Sequence, residues 1–162
     1  MNKIIVSLLM AGMLCLGPAA SLSAQSGQGA APMADEKDIL HLNTIGAFSA
    51  GFVIQSYGYI GVLADAMSKG VYEPELVRSM LSETISYLRN VNTQLQKYQS
   101  GSLIASGDRK FIASMMEIIS QLIAEAEALS SFAQTKSKED LARYEDARRD
   151  AWKNIKKTFG MN

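Results

Sequence analysis

Apolar residues recur every three or four positions through most of the chain, and the pattern divides it into four segments. In one of them Val77, Leu81, Thr84, Leu88, Val91, Leu95 and Tyr98 advance by alternating steps of four and three. In the next, Ile112, Met115, Ile119, Leu122, Ala126, Leu129 and Ala133 repeat the alternation. A repeat averaging 3.5 residues is that of helices packing nearly parallel or antiparallel through interlocking side chains.

Punctuation between the segments agrees with the periodicity. The first predicted helix spans residues 35–69, with Asp35, Glu36 and Asp38 in its first turn and Lys69-Gly70 at its end. Acids at the start and a cation before a glycine at the finish both suit the helix dipole and its left-handed stop. Pro74 opens the second helix, where its missing N–H is no loss, and that helix runs to residue 99. The stretch "SGSLIASGD" makes the turn, and Ser106 or Asp108 caps a third helix reaching residue 134. Ser137, with Asp140 three positions on, forms a variant capping box for a fourth helix ending near residue 159. Short connections make sequential helices antiparallel neighbours. The expected fold is therefore all-α, an up-down-up-down antiparallel four-helix bundle over residues 35–162. A pair of long hairpins completed by a partner is the competing arrangement.

The first helix breaks the regular pattern. "IGAFSAGFVIQSYGYIGVLADAM" meets no charge before Asp65. Ile45, Phe48, Phe52, Tyr59, Val62 and Ala66 fall on one face, and Val53, Ile60 and Leu63 on another. A helix apolar on most sides must be covered on most sides, yet a four-helix bundle buries only part of each helix. The surplus predicts a seam with another protein or a second copy. Gly46, Ala47, Ala50 and Gly51 are the expected contact face, where small side chains permit close approach. A membrane span is the alternative, opposed by Gln55, Ser56, Tyr57 and Tyr59 near its middle, since membrane tyrosines favour the interfacial belt. Gln55, Ser56 and Tyr59 also form a candidate polar spot inside the bundle lumen, either fixing register or lining a small-ligand pocket.

The N-terminus reads differently. Lys3, an apolar run over residues 4–16, Gly17-Pro18 and then small residues are the parts of a secretory signal peptide, assigned to residues 1–24. Residues 25–34, rich in Gly, Ala, Gln and Ser, form a flexible linker. Cys15, the only cysteine, lies in the apolar run behind the bulky Leu14, which disfavours lipidation. Without disulfides, an exported domain relies on its core. The expected location is the periplasm.

Composition narrows the chemistry. Sixteen basic residues balance sixteen acidic ones, so no overall field points to nucleic acid. His41 is the only histidine, and one histidine, even with Asp38 three residues before it, is too little for zinc, di-iron or haem. Met80, Met115 and Met116 read as core filling rather than a copper site. Glu117, Glu125 and Glu127 are expected in solvent, and no nucleophile–base pair or phosphate loop is present. No metal, cofactor or catalytic residue is assigned. Arg148, Arg149, Lys153, Lys156 and Lys157 give the fourth helix a candidate basic face for a membrane surface or partner. The alternative is dipole compensation, with Trp152, Ile155 and Phe159 closing the bundle. The functional expectation is an exported, non-enzymatic bundle acting through contacts with an unidentified protein or a second copy. A small-molecule-binding bundle and a membrane-anchored envelope protein are the alternatives.

Overall fold

A computed structural model of the protein describes the backbone of residues 36–101 and 106–161, and the side chains of residues 44–101 and 107–161. The expected signal peptide, the linker, Cys15 and the His41 side chain lie outside the described residues. The described chain is all-helical: α1 (Glu36–Ser68), α2 (Pro74–Gln99), α3 (Ser106–Thr135) and α4 (Lys138–Phe159), packed as a helical bundle.

The ends form as their residues dictate. Gly70 takes a positive φ of 68° just beyond α1, the left-handed conformation that costs glycine least. Pro74 begins α2 from an extended Glu73. Ser137 caps α4 by accepting a hydrogen bond from the Asp140 N–H at 3.1 Å. The Asp140 carboxylate accepts from Thr135 Oγ1 and pairs with Arg143, so its pKa lies below the usual carboxylate value, first through Thr135 and then through Arg143. Gly160, at φ 63°, stops α4.

The core is centred on α3. All seven seam positions, Ile112, Met115, Ile119, Leu122, Ala126, Leu129 and Ala133, are buried. A second row on the same helix, Phe111, Ile118, Glu125 and Phe132, steps by seven and is buried or half-buried. Two rows let α3 pack along its length against both α2 and α4, whereas α1 meets the other three helices over less extensive seams. From α2, Val77, Leu81 and Leu88 enter the core, while Tyr98, placed on the same stripe by spacing, is exposed. From α4, Tyr144, Ala151 and Ile155 do so, and Phe159 meets Phe111 edge-on at 6.5 Å.

The covering expected over most of α1 is only partly present. Val53, Ile60, Leu63 and Met67 are buried, but Phe48 is 76% exposed and Val62 60%. Thr44–Ser68 is long and apolar enough to cross a membrane by length and composition, and only 17% of its most apolar window is buried. Of the two apolar faces, the one holding Val53, Ile60 and Leu63 is in the core. The one holding Ile45, Phe48, Tyr59 and Val62 faces outward.

Candidate functional site

Two features set α1 apart: an open groove against α2 and a charged clamp against α3 and α4. The groove encloses about 1050 Å³ and is lined on α1 by Thr44, Ala47, Phe48, Gly51, Phe52, Gln55, Ser56 and Tyr59, and on α2 by Glu83, Thr84 and Tyr87. Phe52 and Tyr87 meet edge-on at 5.8 Å across its floor, a favoured geometry for aromatic pairs. Tyr87 remains 61% exposed. Two of the lining hydroxyls are turned back onto their own helices. Ser56 Oγ donates to the Phe52 carbonyl at 2.9 Å, and Thr84 Oγ1 to that of Met80 at 2.8 Å. Such back-bonding withdraws these two donors from the groove, whose other polar groups are Gln55, Glu83, Thr44 and the hydroxyls of Tyr59 and Tyr87. Glu83 is the only charged side chain among the described residues that line it.

The clamp begins with Glu125 on α3, fully buried in the heptad-spaced row described above. Arg148 of α4 donates Nη1–H to Glu125 Oε1 at 2.6 Å and to the Tyr57 carbonyl of α1 at 3.3 Å. Its guanidinium lies 4.0 Å from the centre of the Tyr57 ring, and Trp152 stacks on Tyr57 at 5.1 Å. A cation over an aromatic face gains from the ring quadrupole. Gly61 makes this possible, because a Cβ there would collide with the guanidinium, 2.8 Å from Cζ. Burial pushes the Glu125 carboxyl up to about 7 although Arg148 pulls the other way. Burial also pushes the Tyr144 hydroxyl up to about 12, against the nearby Arg148 charge. Arg148 itself is held more firmly protonated, its burial being outweighed by the hydrogen bond to Glu125 and the neighbouring groups. Glu125 Oε2 is buried without a hydrogen-bond partner.

The sequence-assigned residues fall out as follows. Ala47 and Gly51 of the contact face line the groove, Gly46 lines a smaller cavity of about 240 Å³ against α2 and α3, and Ala50 is half-buried. Gln55, Ser56 and Tyr59 do come together, but along the open groove rather than in a lumen, since Gln55 and Tyr59 are exposed. Ala47 and Gly51 thus share one surface with Gln55, Ser56 and Tyr59. Among the glycines of α1, only Gly61 is used for close approach, and to a side chain rather than to a backbone.

Arg148 leaves the basic face of α4 and turns inward to Glu125. Arg149, Lys153 and Lys157 remain exposed, Lys156 is half-buried, and Arg149 pairs with Asp146. Glu125, expected in solvent, is buried because its row faces α4, while Glu127 is the surface residue and pairs with Arg89 at 2.5 Å. The missed signal was the step of seven linking Phe111, Ile118, Glu125 and Phe132, which places a carboxylate in an otherwise apolar row. Among the described residues, no three His, Cys, Asp or Glu side chains assemble into a metal-binding group. Compared with known proteins, the chain matches no protein-family model and no curated protein sequence.

Proposed function

We propose that this is an exported, non-enzymatic bundle that acts by receiving an apolar protein segment in the α1–α2 groove. The observation that carries the reading is a groove walled by Phe48, Phe52, Tyr59 and Tyr87 in which the Ser56 and Thr84 hydroxyls are committed to their own helices. Among the described residues its lining holds no histidine, cysteine or lysine, which favours binding over acid–base or nucleophilic chemistry. Export and periplasmic location rest on Lys3, the apolar run over 4–16 and the small residues after it. The up-down-up-down order is supported by cross-helix pairs whose numbers run in opposite directions. Arg89–Glu127 and Gln99–Arg109 join α2 to α3, and Glu125–Arg148 and Glu117–Asn154 join α3 to α4. The remaining cations of α4, Arg149, Lys153, Lys156 and Lys157, are a secondary contact surface.

The test is a photo-crosslinking amino acid placed at Phe48 or Tyr87 in the producing cell, with Glu139 on α4 as control. Polypeptide adducts from the two groove positions, and none from Glu139, are expected. Adducts to lipid alone, or none from either groove position, would sink the reading.

The volume of the groove and the polar ends of Gln55 and Glu83 favour a second reading, a small apolar ligand. Native mass spectrometry separates the two: a retained small mass, lost in Phe48→Glu, would support the ligand.

A further inference from the structure

The outward face of α1 has a symmetry that its inward face lacks. Thr44, Phe48, Gly51, Gln55, Tyr59, Val62 and Ala66 follow one another by steps of four, three, four, four, three and four. That series is its own reverse, with Gln55 at the centre. Five of these residues line the groove, and Val62 extends the row at 60% exposure.

We propose that the occupant of this face is α1 of a second copy, crossed antiparallel on a two-fold axis through Gln55. The proposal rests on the groove being a protein-contact surface and names its partner. Four observations lead to a second copy. An isologous contact needs a surface complementary to itself under a two-fold rotation, and in this register every pairing repeats. Phe48 meets the partner copy's Val62, and Gly51 meets its Tyr59, an absent side chain opposite a large ring. Thr44 meets its Ala66. At the axis the two Gln55 amides face each other, and each can donate and accept, giving a reciprocal pair of hydrogen bonds. A polar residue at one seam position fixes register in helix pairs.

Charge agrees. From Thr44 to Ala64 the helix carries no charged residue, so a second copy sets no like charges together along this stretch. Area agrees as well. Phe48, Tyr59 and Val62 of the row and Tyr87 beside it are between 38% and 76% exposed. At 150–250 Å² for a whole large side chain they present roughly 350–600 Å², up to three-quarters of the about 800 Å² per partner in a standard interface before the smaller residues of the row are counted. Finally, Gly51 has nothing within 4 Å of where a Cβ would stand, so the bundle itself does not require glycine there. An incoming Tyr59 does.

Single cysteines in the full-length chain, in a Cys15→Ser background, test the register with a short bismaleimide. Gln55→Cys is expected to link to itself in high yield. Phe48→Cys and Val62→Cys are each expected to stay unlinked alone, because self-pairs at these positions lie about 20 Å apart at 1.5 Å per residue. Mixed together, they should link. Sedimentation should give a dimer whose dissociation constant rises at least tenfold in Gly51→Leu, with helicity and melting temperature of the monomer retained.

Self-links at Phe48 would mean a parallel pair and would overturn the register. A monomer at all concentrations without links at Gln55 would overturn the dimer. If Phe48 photo-adducts to another polypeptide then persist, the groove reading stands and only the partner is wrong. If links at Gln55 and polypeptide adducts are both absent and lipid adducts appear, both readings fail and α1 belongs to a bilayer.

Discussion

Helices α1 and α3 are nearly equal in length, at 33 and 30 residues, yet they hold opposite places in the bundle. α1 is the more apolar and the less covered, whereas α3 carries more polar residues and is enclosed along two rows. Apolarity measures how much a helix gains from being covered. Which helix is covered depends on how extensively its neighbours run alongside it. α3 packs extensively against two, α2 and α4, so its interior tolerates a carboxylate provided Arg148 reaches it. α1 is attached by one inward row and by the Arg148 clamp, and its remaining apolar surface faces the groove.

The sharpest way to break this contrast is to cut the clamp. Arg148→Ala leaves Glu125 buried and unpaired and should cost about 4 kcal/mol near pH 8, within the range for stranding a buried charge. Denaturant unfolding at pH 8 and pH 5 checks it, the loss being smaller at pH 5, where Glu125 is protonated. The same group sets the pH profile of the intact protein. The folded-state pKa of Glu125 is raised from 4.5 to about 7, so the folded state holds its proton more tightly. That contribution to stability is complete below 4.5 and is lost as pH rises through 7. Asp140 acts in the opposite sense: its lowered pKa gives stability that is present above its usual value of 3.8 and is lost as pH falls further. Melting temperature should therefore rise on acidification from pH 8 to about 5 and fall at more acid pH, and Glu125→Gln should flatten the upper limb.

Next in size, Leu122→Ala in the centre of α3 should cost about 3 kcal/mol. Phe48→Ala, although it removes a larger side chain, should change the stability of the monomer by less than about 0.5 kcal/mol, as for surface substitutions. Equal losses from the two would erase the distinction between the helices. The smallest pair concerns two glycines one turn apart. Gly61→Ala displaces the guanidinium and should cost about 2 kcal/mol after its gain in helix propensity. Gly58→Ala, with open space around it, should stabilise by about 0.5–1 kcal/mol. Thermal unfolding of both variants at pH 8 decides the sign of each.

The helices were legible because their punctuation is local. Pro74, Ser137 with Asp140, and Gly70 act within one turn of themselves, and the starts of α2 and α4 and the ends of all four helices lie within one residue of those expected. The heptad of α3 was equally plain. What periodicity does not contain is the ranking of faces. On α1 both faces are apolar, and the choice of Val53, Ile60 and Leu63 over Phe48, Tyr59 and Val62 depends on the space left by α2, α3 and α4. The inward turn of Arg148 was illegible from α4 alone, because a cation near a helix C-terminus already has a local explanation in the dipole. Only Glu125 on α3 and the vacant side of Gly61 on α1 account for where it goes. Arg143 and Arg149 each pair with an aspartate three residues away, Asp140 and Asp146, and Asp140 is already oriented by the cap.

The clamp ties together three positions that no local pattern connects. Gly61 is needed only because Arg148 occupies the place of its side chain, and Arg148 is needed inside only because Glu125 is there. Among descendants of this chain the three should change in concert. A lineage that replaces Glu125 with an apolar residue frees Arg148 to return to the surface and Gly61 to become alanine, while a lineage that loses the glycine first must give up the other two. Correlated substitution at 61, 125 and 148, against independent drift at Gly46, Gly51 and Gly58, is the trace this contact would leave if the bundle alone were under selection. Retention of Gly51 as well would be the trace of a partner.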